Sequence, residues 1–100
     1  LEKNSNGAVQ QTIAQTQNAI GYVGLGYIDS SVHAVPISVN GTTITPSIET
    51  VKAGTYPLAR PLYLLTKGQP TGDETNFLAF IDSPDGQKLI TEEGFVTLTK

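Results

Sequence analysis

A chain of one hundred residues is the size of one small domain. Its net charge of −3, its 38% hydrophobic content and its six basic residues exclude a disordered tail and argue against a nucleic-acid surface. With no cysteine there is no disulfide framework or thiolate metal site, and no apolar run approaches the ~18 residues of a membrane span.

Val9 and Ile13, four residues apart among alanines and glutamines, predict a helix from Gly7 to Thr16. Ala19 to Gly24 reads as a short buried strand, followed by a bend at Leu25-Gly26-Tyr27. Val32 to Val39 alternates with a period near two, and Asn40-Gly41 is a hairpin turn signal before Thr42 to Ile44. Thr45-Pro46 predicts an N-cap with proline at the first helical position, in a helix closed by Gly54.

Tyr56 to Lys67 carries Leu58, Leu62, Leu64 and Leu65, but Pro57 and Pro61 forbid a helix interior, so a long extended strand is expected. Thr71 and Glu74 are spaced as a capping box ahead of Phe77, Leu78, Phe80 and Ile81. Ser83-Pro84 restarts the helix, Gly94 stops it, and Phe95 to Leu98 ends extended. The alternation predicts a mixed α/β unit, and a folded chain this long is expected to bury one modest core.

Charge is unevenly placed: residues 73–100 hold six acids and two lysines, whereas residues 1–72 hold three acids and four bases. The acidic end reads as solvated helix. The chain has no methionine and begins Leu-Glu-Lys, without a signal-peptide pattern, which reads as an excised piece of a longer polypeptide.

Catalytic machinery is not legible. His33 is the single histidine and reads as a solvent-facing strand residue, which excludes a two-histidine metal site. No serine sits in a Gly-x-Ser-x-Gly elbow. Glu92 and Glu93 are adjacent on a helix, so their carboxylates diverge rather than converge on one substrate. Gly21, Gly24 and Gly26 lack the spacing of a dinucleotide loop and read as glycines that let the backbone bend against a neighbour. Arg60, the sole arginine, reads as a structural partner of a carboxylate or carbonyl, with an anion ligand as the alternative.

Three segments carry a resemblance: Ala19–Ile28 with its three glycines, Gly54–Gly68 with its two prolines around Arg60, and Ser83–Val96 opening on Ser-Pro-Asp-Gly-Gln. In this order and at these separations they resemble the C-terminal part of the phosphate-binding protein of phosphate ABC transporters, a solute-binding protein family. Gln17-Asn18 stands where that family more usually has Pro-Gly, and Thr97 where it often has Pro.

The resemblance implies a partial periplasmic-binding-protein-like fold of the type II, Venus-flytrap kind, with a mixed sheet and flanking helices. It implies residues 1–55 in the second lobe, a hinge-crossing strand at 56–67, and closing helices and a last strand at 68–100. The implied function is that of the substrate-binding component of an importer for inorganic phosphate, partnered by the transporter permease, periplasmic or extracellular, with membrane anchoring of the parent protein as an option. Another oxyanion-binding protein and a freestanding protein-interaction domain are the alternatives. No enzyme activity, cofactor or metal is implied. The family's Arg-x-Asp-Gly-Ser-Gly-Thr ligand motif is absent, so the phosphate-binding candidates within the chain are Ser5, Asn6 and Gly7, whose amides open the first helix. Exposed strand edges around Leu62–Leu65 predict a homo-oligomer formed by strand or helix exchange.

Overall fold

The computed structural model describes residues 1–98. Its first element, α1 (Asn6–Gln15), starts where Ser5 turns its hydroxyl onto the Ala8 N–H at 3.1 Å. The chain then crosses back under this helix from Ala19 to Gly24. Gly21 faces α1 so closely that a Cβ there would stand 3.1 Å from Ile13 Cδ1. Ala19 and Val23, on the same side, are half-buried, whereas Ile20 and Tyr22 point outward at 83% and 93% exposure. The expected buried strand is therefore an extended one-faced segment with no ladder partner among the described residues. The expected bend follows as a 3-10 turn at Leu25–Tyr27.

The sheet is a single hairpin of β1 (Ile37–Val39) and β2 (Thr42–Ile44), antiparallel, with Val39 opposite Thr42 and Ile37 opposite Ile44. Asn40 and Gly41 both take positive φ, 51° and 82°, the conformation of a two-residue hairpin turn matched to strand twist. The alternating pattern starts at Val32, yet only Ile37–Val39 pairs: Pro36 offers no donor just before it. A mixed sheet is thus not formed by the described residues, and the unit is α/β with one small antiparallel ladder.

Helix α2 (Ile48–Lys52) corrects the expected cap. Its N-cap is Ser47, not Thr45, because Thr50 stands three residues beyond Ser47 with a hydroxyl that completes a capping box. Ser47 and Thr50 form a reciprocal box, each backbone N–H donating to the other's hydroxyl at 3.1 Å. Gly54, at φ 73°, ends the helix as expected, with the Gly54 and Thr55 N–H groups returning to Val51 and Thr50 carbonyls.

Tyr56 to Lys67 forms no strand. Residues 60–67 make no backbone–backbone hydrogen bond within the described chain. A strand is defined by its neighbour, and here none is supplied.

Helices α3 (Asp73–Asp82) and α4 (Pro84–Glu92) form an elbow. The expected Thr71–Glu74 capping box is absent: Gly72 is the N-cap at φ 55°, and the Thr71 carbonyl, not its hydroxyl, accepts from the Glu74 N–H. At the elbow Ser83 works on both helices. Its hydroxyl donates to the Phe80 carbonyl at 2.5 Å and accepts from the Gly86 N–H at 3.2 Å. Gln87 Nε2 donates to the Ile81 carbonyl at 2.8 Å, so Ser83 and α4 together supply donors for two of the last carbonyls of α3. Gly86 is buried at the crossing, where a Cβ would stand 2.7 Å from the Ile81 carbonyl oxygen.

The expected core is missing. Among the described residues no hydrophobic side chain is fully buried, and the Cα radius of gyration is 16.7 Å against about 13 Å for a compact chain of this length. The accessible surface of 8293 Å² exceeds the roughly 5,500 Å² expected of a compact protein of this mass. Apolar residues share helix faces and loops without enough surrounding layers to enclose them.

Candidate functional site

The three candidate anion residues sit together at the start of α1, and the structure gives each a distinct job. Ser5 Oγ is occupied by the Ala8 N–H. Asn6 Oδ1 accepts the Gly24 N–H at 3.1 Å, tying the helix start to the glycine segment that crosses beneath it. Gly7 faces open space, with nothing within 4 Å of where a Cβ would be. What remains outward at this end are the Asn6 and Gly7 backbone N–H groups, donors that a helix start leaves without intrahelical acceptors. The first turn, Asn6-Gly7-Ala8-Val9, carries no basic residue.

A second tie, from Gln10 Nε2 to the Tyr27 carbonyl at 2.6 Å, fixes the 3-10 turn against the next turn of α1. Beside it, Asp29 accepts both the Ser31 hydroxyl at 2.6 Å and the Ser31 N–H at 2.8 Å. These two donors, the hydroxyl first, hold the Asp29 carboxyl below its ordinary pKa. Sequence reasoning missed the Asn6–Gly24 and Gln10–Tyr27 ties. Both join residues far apart in the chain, and an asparagine or glutamine in a helix announces no such partner.

Between α1 and the crossing segment lies a cleft of about 80 Å³ whose walls include Val9, Ile13, Val23, Val32 and His33. Its polar side chains are His33 and Gln10, and the Gln10 amide is already engaged by the Tyr27 carbonyl. His33 is exposed, as expected, but in an irregular run rather than a strand. The glycine reading holds at Gly21 and Gly26: both lie against neighbouring backbone or side chains, not around a phosphate-sized hollow. Arg60 lies exposed, with no carboxylate in ion-pair range among the described residues, so its expected structural partner is not found here. Among the described residues, no three acidic or histidine side chains gather as a metal site. The same region contains no helix long and apolar enough to cross a membrane.

Comparison with known proteins supplies what the geometry leaves open. A family described as the PBP superfamily domain matches residues 1–85. The chain belongs to the PBP superfamily.

Among relatives of this PBP-superfamily chain, the phosphate-binding protein PstS of Bacillus subtilis (strain 168) is 34% identical over 101 residues, covering 99% of this chain and 32% of that protein. The phosphate-binding protein PstS of Borreliella burgdorferi is 35% identical over 95 residues, covering 92% of this chain and 33% of that protein. The protein of that name from Pseudomonas aeruginosa strain PAO1 is 30% identical over 103 residues, covering 97% and 32% respectively. The PBP-superfamily chain therefore spans about a third of the length of these curated relatives, as a partial PstS-like segment. No solved structure matches it significantly.

Proposed function

We propose that this chain is the C-terminal segment of a two-lobed, type II flytrap protein that binds inorganic phosphate and hands it to the permease of an ABC importer. The observation that carries this reading is the alignment, over 92–99% of the chain, with phosphate-binding proteins of three distinct bacteria at 30–35% identity. The open fold supports it. A segment whose helix faces and extended runs expose this much apolar surface is built to pack against more polypeptide than itself.

In this reading residues 1–55 contribute to the second lobe, 56–67 cross the hinge, and 68–100 close the structure with helices and a last strand. The first part of that last stretch, Phe95 to Leu98, is described without a ladder, and the remainder lies outside the described residues. The chain's own contribution to the anion is the pair of outward N–H groups at Asn6 and Gly7, held in place by Ser5 and by the Asn6–Gly24 tie. The remaining ligands come from residues beyond this segment. The protein acts outside the cytoplasmic membrane and carries out no chemistry on its solute.

The test is calorimetric titration of the polypeptide extended to the full length of its relatives, with inorganic phosphate and with sulfate. One-to-one phosphate binding in the micromolar range, with sulfate excluded, is expected. Preference for sulfate, or heat from neither anion, overturns the reading.

A further inference from the structure

The chain carries two Asn-Gly pairs, Asn6-Gly7 and Asn40-Gly41, in different settings. Asparagine is a thermolabile residue, because the backbone nitrogen of the next residue can attack its side-chain amide carbon. Glycine in that next place leaves the attack unhindered, having no Cβ. Both asparagines are exposed, so exposure does not separate them. What separates them is which bonds the attack has to break.

In the hairpin the ladder closes through Val39 and Thr42, and the peptide joining Asn40 to Gly41 lies outside it. Neither the Asn40 side chain nor the Gly41 N–H makes a hydrogen bond among the described residues. Nothing stands within 4 Å of where a Cβ on Gly41 would be, so the space around the turn is open. Ring closure eclipses Asn40 Cβ with the Gly41 nitrogen, which for an L residue sets ψ near about −120°, the value at the first central residue of a type II′ turn. The φ values of 51° and 82° are those of a type I′ turn. Rotating that one peptide converts I′ into II′: Asn40 stays at positive φ, and Gly41 moves to negative φ, which glycine accepts freely. Both turns serve a two-residue hairpin, so the ladder survives the rotation.

At Asn6 the same rotation undoes the start of α1. Asn6 Oδ1 is held by the Gly24 N–H at 3.1 Å, and the Ser5 hydroxyl and carbonyl hold the Ala8 and Val9 N–H groups.

We propose that Asn40 is a site of spontaneous backbone modification and that Asn6, with the same following glycine, is protected from it. The Gly41 nitrogen gives up its proton and bonds to Asn40 Cγ. The Cγ–Nδ2 bond breaks, and ammonia leaves with that proton. Water then opens the resulting succinimide at either carbonyl, giving aspartate or isoaspartate, with nothing oxidised or reduced. Aspartate retains a sequence suited to the same turn, since Asp-Gly also favours type I′. Isoaspartate routes the main chain through Cβ, which lengthens the turn and breaks the register of Val39 with Thr42. The inference concerns the hairpin alone and does not depend on which solute the longer protein binds.

Incubation of the one-hundred-residue chain in mildly alkaline buffer, followed by tandem mass spectrometry, reads both pairs in one sample. Asn40 is expected to convert to the acid, and Asn6 roughly tenfold or more slowly, because its conversion first breaks the Ser5 cap and the bond to Gly24. Equal rates, faster conversion at Asn6, or no conversion at Asn40 overturns the proposal. Asn40→Gly keeps a hairpin turn sequence and removes the reacting amide, so it is expected to abolish most of the early ammonia release. Release undiminished in that variant also overturns the assignment.

Discussion

Gly26 and Gly94 meet backbone to backbone: a Cβ on Gly26 would stand 2.7 Å from Gly94 Cα, and one on Gly94 would stand 2.8 Å from Gly26 Cα. The 3-10 turn that leaves the α1 unit thus rests on the residue that ends α4. Gly94 is needed there twice, since its φ of 83° also terminates the helix by returning the Gly94 and Phe95 N–H groups to Thr91 and Ile90 carbonyls.

Gly26→Ala is therefore expected to separate the two units while leaving each intact. Neither neighbouring backbone can yield as a side chain would, and overpacking of this kind costs about 1–3 kcal/mol. Loss of the nuclear Overhauser contact between residues 26 and 94, with helicity unchanged, checks it. Retention of that contact in the variant counts against the close approach.

At the elbow, Gly86→Ala is expected to be worse than Ser83→Ala. The first drives a methyl into the Phe80 and Ile81 carbonyls, which cannot move without unwinding α3. The second removes a cap worth about 1 kcal/mol and leaves the backbone path open. Comparing the thermal loss of helical circular dichroism in the two variants tests the order, and a milder Gly86→Ala refutes the crowding.

Asp29 gives a pH dependence with a definite sign. Its folded pKa lies below the ordinary value of about 3.9, because the Ser31 hydroxyl and N–H favour the charged form. The turn is thus fully stabilised above the unfolded pKa and loses that contribution as pH falls through the folded one. Glu49, held low first by its own N–H at the start of α2 and then by Ser47, adds in the same acidic window. In an NMR titration Ser31→Ala is expected to raise the Asp29 pKa toward its ordinary value. An unmoved midpoint would show that Ser31 is not the cause.

The separated chain should be a poor phosphate binder. Two helix-start N–H groups without a cation are expected to hold the anion no better than ~1 mM, about −4 kcal/mol. A calorimetric titration of the one-hundred-residue chain showing a micromolar single site would mean that the segment carries a complete pocket.

What was legible in the sequence is what is written within four or five neighbouring residues. Ser83-Pro84, Asn40-Gly41, Gly54 and Gly94 all sit where their local chemistry predicts. The misreadings have physical reasons of two kinds. Ala19–Gly24, Val32–Pro36 and Leu62–Lys67 have strand patterns, but a strand requires a partner ladder, and a pattern does not say whether the partner is present. At Thr71 and Thr45 a good capping residue lost to its neighbour, because Gly72 turned to positive φ and because Ser47 had Thr50 to answer it. Helix α1 starts at Asn6, one residue ahead of the expected Gly7, with Ser5 as its N-cap, while the cross-chain hold of Asn6 on Gly24 leaves no trace in local spacing.

The reach of the side-chain hydrogen bonds has a consequence for how the molecule melts. Apart from Asn6 to Gly24 and Gln10 to Tyr27, those described span six residues or fewer. Each element therefore carries its own stabilisation and informs few others of its state. Cooperative, all-or-none unfolding comes from a shared interior that every element loses at once. With no such interior among the described residues, unfolding is expected to spread over a broad temperature range, with the Gly26–Gly94 approach as the main link between the α1 unit and the α3–α4 elbow.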